Sequence, residues 1–470
     1  MKAQVCTLAI LFTALTLSVL GCGADGGTKN TEGPDVIAEA AAPDGLGEGA
    51  IADDTIGADA EASEIDPGDA VVETLSLEQR YLVSDEYAQE VGTTLSTANT
   101  RFAVKLFQKM NEGLGAGENI FISPFSISTA LAMTYNGATG ETLDAMAETL
   151  EYSGIDIEAL NVDYLQLIKS LEHVDEDVTL DIADSIWMNA SFASLVKEAF
   201  LDVVAEFFLS AIFIEDFGDE ATLAKINGWI EDNTNGKITD MLDQIPASAV
   251  MYLINALYFK ADWTYPFDPE DTSERDFILS DGSSKKVQMM TYGKLVTSFA
   301  YTADADYCAV RLPYGRDKIA FYGFVPWSYD SDKTIQDFIA DLTAEKLDAY
   351  INDVAYPVGD GEGIGISMPK FKIEYKETLN DVLTALGMGV AFDLGGFDKI
   401  AEALGISRVI HQTFIEVNEE GTEAAAATVV EMFSGITPSF NGDEPFFFVI
   451  RDDRSGSILF MGKVGDPTAE

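Results

Sequence analysis

The stretch SAVMYLINALYFKADW, residues 248–263, constrains this chain more than any other. Read as a strand, it is apolar on both alternations, with Leu253, Leu257 and Phe259 on one and Ile254, Ala256 and Tyr258 on the other. A strand of that kind is covered on both faces. The remainder of the chain must therefore supply layers above and below it.

The segments before it read mainly as helix. TRFAVKLFQKM places Phe102, Leu106, Phe107 and Met110 on one helical face. In NIFISPFSISTALAMTYNGATGETLDAMAETL, Asn119 to Ile122 reads as a short buried strand broken by Pro124. Ser126 is expected to cap a helix reaching about Tyr135, Asn136-Gly137 to end it, and a further helix to start near Thr139. AKINGWIEDNTNGKITDML ends another helix with Trp229 and Ile230 facing inward. After residue 248, KKVQMMT, CAVRLPY, KIAFYGFVP, GIGISMPKFKIEY, TFIEVNEE, FFFVIRD and SILFMGKV read as strands. Helices first and strands later, without a linker, indicate one α+β domain over residues 93–470.

The N-terminal part is different material. Lys2 and the apolar run Leu8–Leu20 form a signal sequence, too short to span a bilayer comfortably. The run ends in Val19-Leu20-Gly21-Cys22, which resembles a bacterial lipobox. Residues 1–21 are thus expected to be a lipoprotein-type signal peptide, with Cys22 as the acylated residue. Residues 22–92 are rich in Gly, Ala, Asp and Glu and poor in aromatics, which predicts an acidic, disordered, extended linker. The expected location is extracytoplasmic, either lipid-anchored at the cell envelope or secreted.

The net charge of −52 excludes a nucleic-acid partner, since phosphates require a basic face. It also opposes attraction to anionic lipid headgroups, so any membrane contact runs through the lipid anchor. Cys6, Cys22 and Cys308 cannot form an intradomain disulfide or a cysteine metal site, and no cofactor or metal is expected. With His173 and His411 the only histidines, and no nucleophile elbow, a hydrolase has little to build on.

One segment is conformationally undecided. In NEEGTEAAAATVV, residues 418–430, four alanines favour helix, while Gly421-Thr422 before and Thr428-Val429-Val430 after favour strand. As a strand, one face carries Thr422, Ala424, Ala426, Thr428 and Val430, small or β-branched and uncharged. The other carries Glu423, Ala425, Ala427, Val429 and Glu431. Such a segment can live outside a sheet or inside one.

The stretches NIFISPFSISTALAMTYNGATGET, INGWIEDNTNGKI, LINALYFKADW, MPKFKI, NEEGTEAAAAT and PFFFVIRDDRSGSILFMGKV, in this order and spacing, resemble the serpins, a family of serine protease inhibitors. The resemblance covers the whole body and departs at FNGDEPFFF, where Gly442 and Glu444 replace an apolar and a basic or polar residue. It implies three β-sheets, eight to nine helices and an exposed reactive-centre loop. It also implies a suicide substrate: a protease cuts the loop and is acylated on it. The loop then inserts into the main sheet, and the trapped enzyme is distorted.

On this resemblance the hinge is Glu419, Glu420, Gly421, Thr422, Glu423, Ala424, Ala425, Ala426, Ala427 and Thr428. Ser123, Ser126, Asn255 and His411 form a polar cluster beneath the opening sheet, the shutter. Trp263 stands at the breach, where the loop first enters. Family counting from Glu419 sets the reactive bond at Gly435-Ile436, within a window that includes Met432, Phe433 and Ser434. Met432 and Phe433 suit chymotrypsin- or subtilisin-like enzymes and Gly435 an elastase-like one. The window holds no Arg or Lys, which disfavours trypsin-like targets. The expected function is inhibition of a serine endopeptidase by a monomer that is not an enzyme. Alternatives are a non-inhibitory serpin acting as a surface binding protein, or an inhibitor of cysteine proteases.

Overall fold

Leu253, Leu257, Phe259 and Ala261 of the long apolar strand pack on one core, while Tyr252 and Ile254 pack on a second. Both faces are covered, as the residue pattern requires. The structure is a computed structural model that describes residues 77–292, 299–303, 307–326, 333–354, 363–422 and 439–469.

In chain order the first half comprises α1 (Leu77–Glu90), α2 (Thr93–Glu112), β1 (Ile120–Ile122), α3 (Pro124–Gly137), α4 (Gly140–Thr149) and α5 (Ile157–Glu172). Then come β2 (Val178–Asn189), α6 (Glu198–Phe208), β3 (Ala211–Glu215), α7 (Glu220–Asn233) and β4 (Met251–Asp262). The second half has β5 (Ser273–Ile278), β6 (Ser284–Thr291), β7 (Ala300–Ala303), β8 (Tyr307–Tyr314), β9 (Ile319–Pro326), α8 (Ile335–Ala340) and α9 (Ala344–Asp353). It ends with β10 (Gly365–Pro369), β11 (Phe371–Thr378), α10 (Asn380–Leu383), β12 (Ile410–Val417), β13 (Gly421–Thr422), β14 (Ser439–Asn441), β15 (Phe446–Asp452) and β16 (Ser457–Val464). The α+β class holds.

β1, β16, β15, β9, β8 and β7 form a six-stranded sheet, and β14, β10, β6 and β5 a four-stranded one. The third expected sheet is divided. On one side β3 runs parallel to β2, and β2 pairs antiparallel with β4 from Val178↔Ala261 to Met188↔Met251. On the other, β11 pairs with β12 from Phe371↔Val417 to Thr378↔Ile410. Among the described residues β4 and β12 share no ladder; the free edge of β4 carries only the two residues of β13.

Three expectations need correction. Residues 77–90 lie inside the stretch read as linker, yet form α1, which raises the described α-helices to ten. Local composition hid this because the helix is held by tertiary contacts. Ser84, Ala88 and Val91 are buried, the Ser84 hydroxyl donates to Ser170 O at 2.5 Å, and Asp85 pairs with Lys318 and Arg454. Second, β2 and β3 lie before residue 240, where helix was expected to dominate. The alternation of Val178 and Leu180 with Thr179 and Asp181 is the strand signal in that stretch. Third, Ser126 does not cap α3. Ser123 does, its Oγ accepting from Ser126 N at 3.1 Å, with Pro124 at the first helical position, where its missing N–H is harmless.

Arg454 ties α1 to the body. Its guanidinium donates to Asp452 Oδ1 at 2.8 Å, Ser84 Oγ at 2.8 Å, Asp85 Oδ1 at 3.1 Å and Ser170 O at 2.8 Å. Asp452 is fully buried. Arg454→Met would strand that carboxylate without its cation, so stability to urea should fall by about 3 kcal/mol, and limited proteolysis should reach α1 first.

Candidate functional site

The chain leaves β12 at the top of the divided sheet and turns back onto β4 within four residues. Asn418 N donates to Gly421 O at 3.0 Å and Glu420 N to Asn418 Oδ1 at 3.0 Å. Gly421 has φ +144°, and a Cβ there would overlap the Ala261 carbonyl oxygen. Only glycine fits this close passage. Beyond it Gly421 pairs with Asp262 and Thr422 with Ala261, antiparallel.

Trp263 secures the turn. Its backbone N–H donates to Glu420 O at 2.7 Å and its indole Nε1–H to Asn418 O at 3.0 Å. The ring stacks on Tyr314 at 4.3 Å, so its orientation is set by the neighbouring sheet. Glu419 is the second anchor. Its carboxylate pairs with Lys370 Nζ at 2.7 Å and accepts from Thr272 Oγ1 at 2.8 Å, and its carbonyl accepts from Phe267 N at 2.7 Å. Sequence reasoning named Glu419 but missed Lys370 and Thr272. They lie in other strands and loops, and nothing local marks them.

Lower down, β4 and β12 part around a cavity of about 620 Å³. Its walls include Ile127 and Leu131 of α3, Ile254 and Asn255 of β4, and Ile410 and His411 of β12. β12 is fastened to the core rather than to β4: Thr413 Oγ1 donates to Phe121 O at 2.6 Å, and Ser123 N donates to His411 Nε2 at 3.0 Å. An imidazole that accepts at Nε2 is neutral, and burial pushes its pKa down to about 3.

Ser123, Ser126, Asn255 and His411 are all buried in this region. Ser123 meets His411 directly, and its hydroxyl donates to Leu459 O at 2.8 Å. Asn255 pairs elsewhere: its Nδ2 donates to Asp184 Oδ1 at 2.9 Å, across the β2–β4 ladder, and its Oδ1 has no partner. Asp184 was missed; a lone Asp in the alternating pattern of β2 gives no sign that it is buried. Glu423 to Thr428, the bond Gly435-Ile436 with its window Met432 to Ser434, and Cys22 lie outside the described residues.

Glu419 titration reports on the upper anchor. Burial raises its pKa, but the Lys370 and Thr272 hydrogen bonds and the backbone outweigh that, and the net shift is downward. A depressed carboxylate stabilises the fold above its unfolded pKa, and that contribution is lost as pH falls through the folded value. Glu419→Gln should therefore cost about 1–2 kcal/mol at pH 7, and the difference from wild type should vanish in acid. Urea titrations of both proteins at pH 7 and pH 3 check this.

Comparison with known proteins agrees with this geometry. The family model described as serpin, serine protease inhibitor, matches residues 97–467. The leukocyte elastase inhibitor of Bos taurus is 34% identical over 385 residues, covering 79% of this chain and 99% of that protein. An uncharacterized serpin-like protein of Methanosarcina acetivorans is 33% identical over 389 residues, covering 80% and 88%. Among solved structures, the thermophilic serpin tengpin superposes in its native state with TM-score 0.70 at 31% identity, covering 80% of this chain and 95% of that one. A divided main sheet, a glycine-hinged turn back onto β4 and a match that spans the folded body lead to one conclusion: the chain belongs to the serpin family.

Proposed function

We propose that this chain inhibits serine endopeptidases as a suicide substrate, by inserting its cleaved loop between β4 and β12. The observation that carries the reading is the edge of β4, which among the described residues is laddered only by the two residues of β13. Its partner across the gap, β12, is anchored to the core by His411 and Thr413 and needs nothing from β4.

The register supports it further. Gly421↔Asp262 and Thr422↔Ala261, continued down β4, would set Ala424 opposite Phe259, Ala426 opposite Leu257 and Thr428 opposite Asn255. Ala261, Leu257 and Phe259 all face the main core. Facing residues in an antiparallel pair project to the same side, so the small face of the hinge is the one that would be buried. Thr428 would bring a hydroxyl to Asn255, whose Oδ1 lacks a donor. In this reading Ser123, Ser126, Asn255 and His411 act as the shutter and Trp263 as the breach.

Relatives named for elastase inhibition, together with Gly435 in the reactive window, favour an elastase-like target. Chymotrypsin- and subtilisin-like enzymes remain in range through Met432 and Phe433. The protein acts as a monomer outside the cytoplasm, held at the envelope through an acylated Cys22. Cys22→Ala should shift it from the detergent fraction to the soluble one, and wild type already soluble would contradict the anchor.

Thr422→Arg tests the mechanism. A guanidinium at the first position to be buried costs several kcal/mol, and each 1.4 kcal/mol on the barrier is about tenfold in rate. Insertion should slow roughly a hundredfold or more. The variant should still be cut within 432–436 but release active enzyme. Glu423→Arg, on the opposite face, should do much less. The readout is the number of inhibitor molecules consumed per protease inactivated, with an SDS-stable complex on a gel; a ratio near one for Thr422→Arg would exclude strand insertion.

A further inference from the structure

The cavity of about 620 Å³ between β4 and β12 falls within the range of about 300–1,000 Å³ typical of small-molecule sites. The described residues that line it include one cation, Arg408, and no Asp or Glu. In a chain with 80 acidic and 28 basic residues, such a wall is unusual and leaves room for an anion. Arg408 is half-buried, its Nη2 donates to Gln244 O at 3.4 Å, and among the described residues it forms no ion pair. Beside it on the rim, Ser407 is exposed, and Leu394 is 85% exposed. The interior is apolar where Ile127, Leu131, Leu242 and Ile254 line it, all buried.

Two buried side-chain oxygens without partners border the same space, the Tyr252 hydroxyl and Asn255 Oδ1. Asn255 is 8% exposed. A buried polar atom left bare is destabilising until a ligand or partner completes it. Burial raises the Tyr252 pKa, and the nearby Arg408 cation opposes that rise. A pair of donors, the Tyr252 O–H and the Arg408 guanidinium, therefore stands toward the mouth. The bare acceptor lies three residues along β4, about 10 Å away at the rise of a strand. Residues three apart project from opposite faces of a strand. A molecule that touches both must bend around the edge of β4, which among the described residues carries no ladder at this level. A flexible chain can do so, and a rigid ring system cannot.

We propose that this cavity binds a long-chain monocarboxylate that carries a hydroxyl along its chain. The carboxylate accepts from the Arg408 guanidinium and the Tyr252 hydroxyl. The chain lies against Ile254, Leu242, Leu131 and Ile127, and its hydroxyl donates to Asn255 Oδ1. One carboxylate balances one guanidinium, whereas a dianionic head would bring a second charge to a wall with a single cation. A cationic amphiphile would meet no carboxylate among the described lining residues. This site goes beyond protease inhibition and does not depend on strand insertion.

The test titrates the chain from residue 22 onward, with Cys22→Ala so that no detergent competes, against ricinoleate below its micelle concentration in a calorimeter. Ricinoleate has one carboxylate and a mid-chain hydroxyl; oleate lacks the hydroxyl, and methyl ricinoleate lacks the charge. One ricinoleate should bind per chain. Oleate should bind about fivefold more weakly, the worth of one neutral hydrogen bond. The methyl ester should bind about tenfold more weakly or worse, because hydrogen bonds to a charged group are stronger. Arg408→Ala should weaken ricinoleate about tenfold and leave the ester unchanged. Tyr252→Phe, which keeps the ring, should weaken ricinoleate about fivefold. Equal affinity for the three ligands, or an affinity that neither substitution changes, means partition onto apolar surface and overturns the proposal. Absence of binding overturns it too. Should Arg408→Ala fail to fold, Tyr252→Phe and the comparison of ligands on the unaltered cavity still decide.

Discussion

Among the described residues, one edge of β4 lacks a ladder along most of its length, and much of the surrounding structure bears on it. β4 pairs on one side with β2 over eleven successive registers, and on the other, among the described residues, it ladders only with Gly421 and Thr422. A strand edge without a ladder along its length invites another strand. The chain keeps that edge open by tying the two flanks to different things. β2 and β4 are covered in front by α7 and the segment after it, with Trp187, Ile230 and Ile254 in one cluster. β12 is tied through Thr413 and His411 to β1 and α3.

The top of the gap is held differently from the bottom. At the top, oriented hydrogen bonds and an ion pair secure the turn: Trp263 to Asn418 and Glu420, and Glu419 to Lys370 and Thr272. At the bottom the cavity mixes apolar walls with polar groups, and one of these, Asn255 Oδ1, has no partner. In the proposed insertion, the strand would start from the Gly421–Thr422 pairing already in place and run towards this polar region. Buried polar networks are costly when half satisfied, and Asn255 Oδ1 is one such unsatisfied group.

Much of the fold was legible in the residues. The two-sided apolar run of β4, the helical face of α2 and the late succession of strands all follow from periodicity, which burial enforces locally. The turn at Gly421 was legible for a related reason: a positive φ and a close backbone passage require glycine there. α1 was not legible, because its Ser84 and Asp85 find partners in α5, the β8–β9 turn and Arg454. Nor was the division of the main sheet, since a missing hydrogen-bond ladder leaves no trace in hydropathy.

By itself the sequence determined which residues could be buried together, where the chain must turn, and that one segment could exist either as strand or as loop. Those are properties of periodicity, glycine and small side chains. Only the tertiary structure decided that Asn255 turns to Asp184 while His411 binds Ser123 N, and that Glu419 meets Lys370 and Thr272. The partners in these pairs are far apart in sequence. Which one a buried polar group takes depends on the packing that brings strands and helices to one place, because such a group accepts whatever donor or acceptor burial leaves within reach.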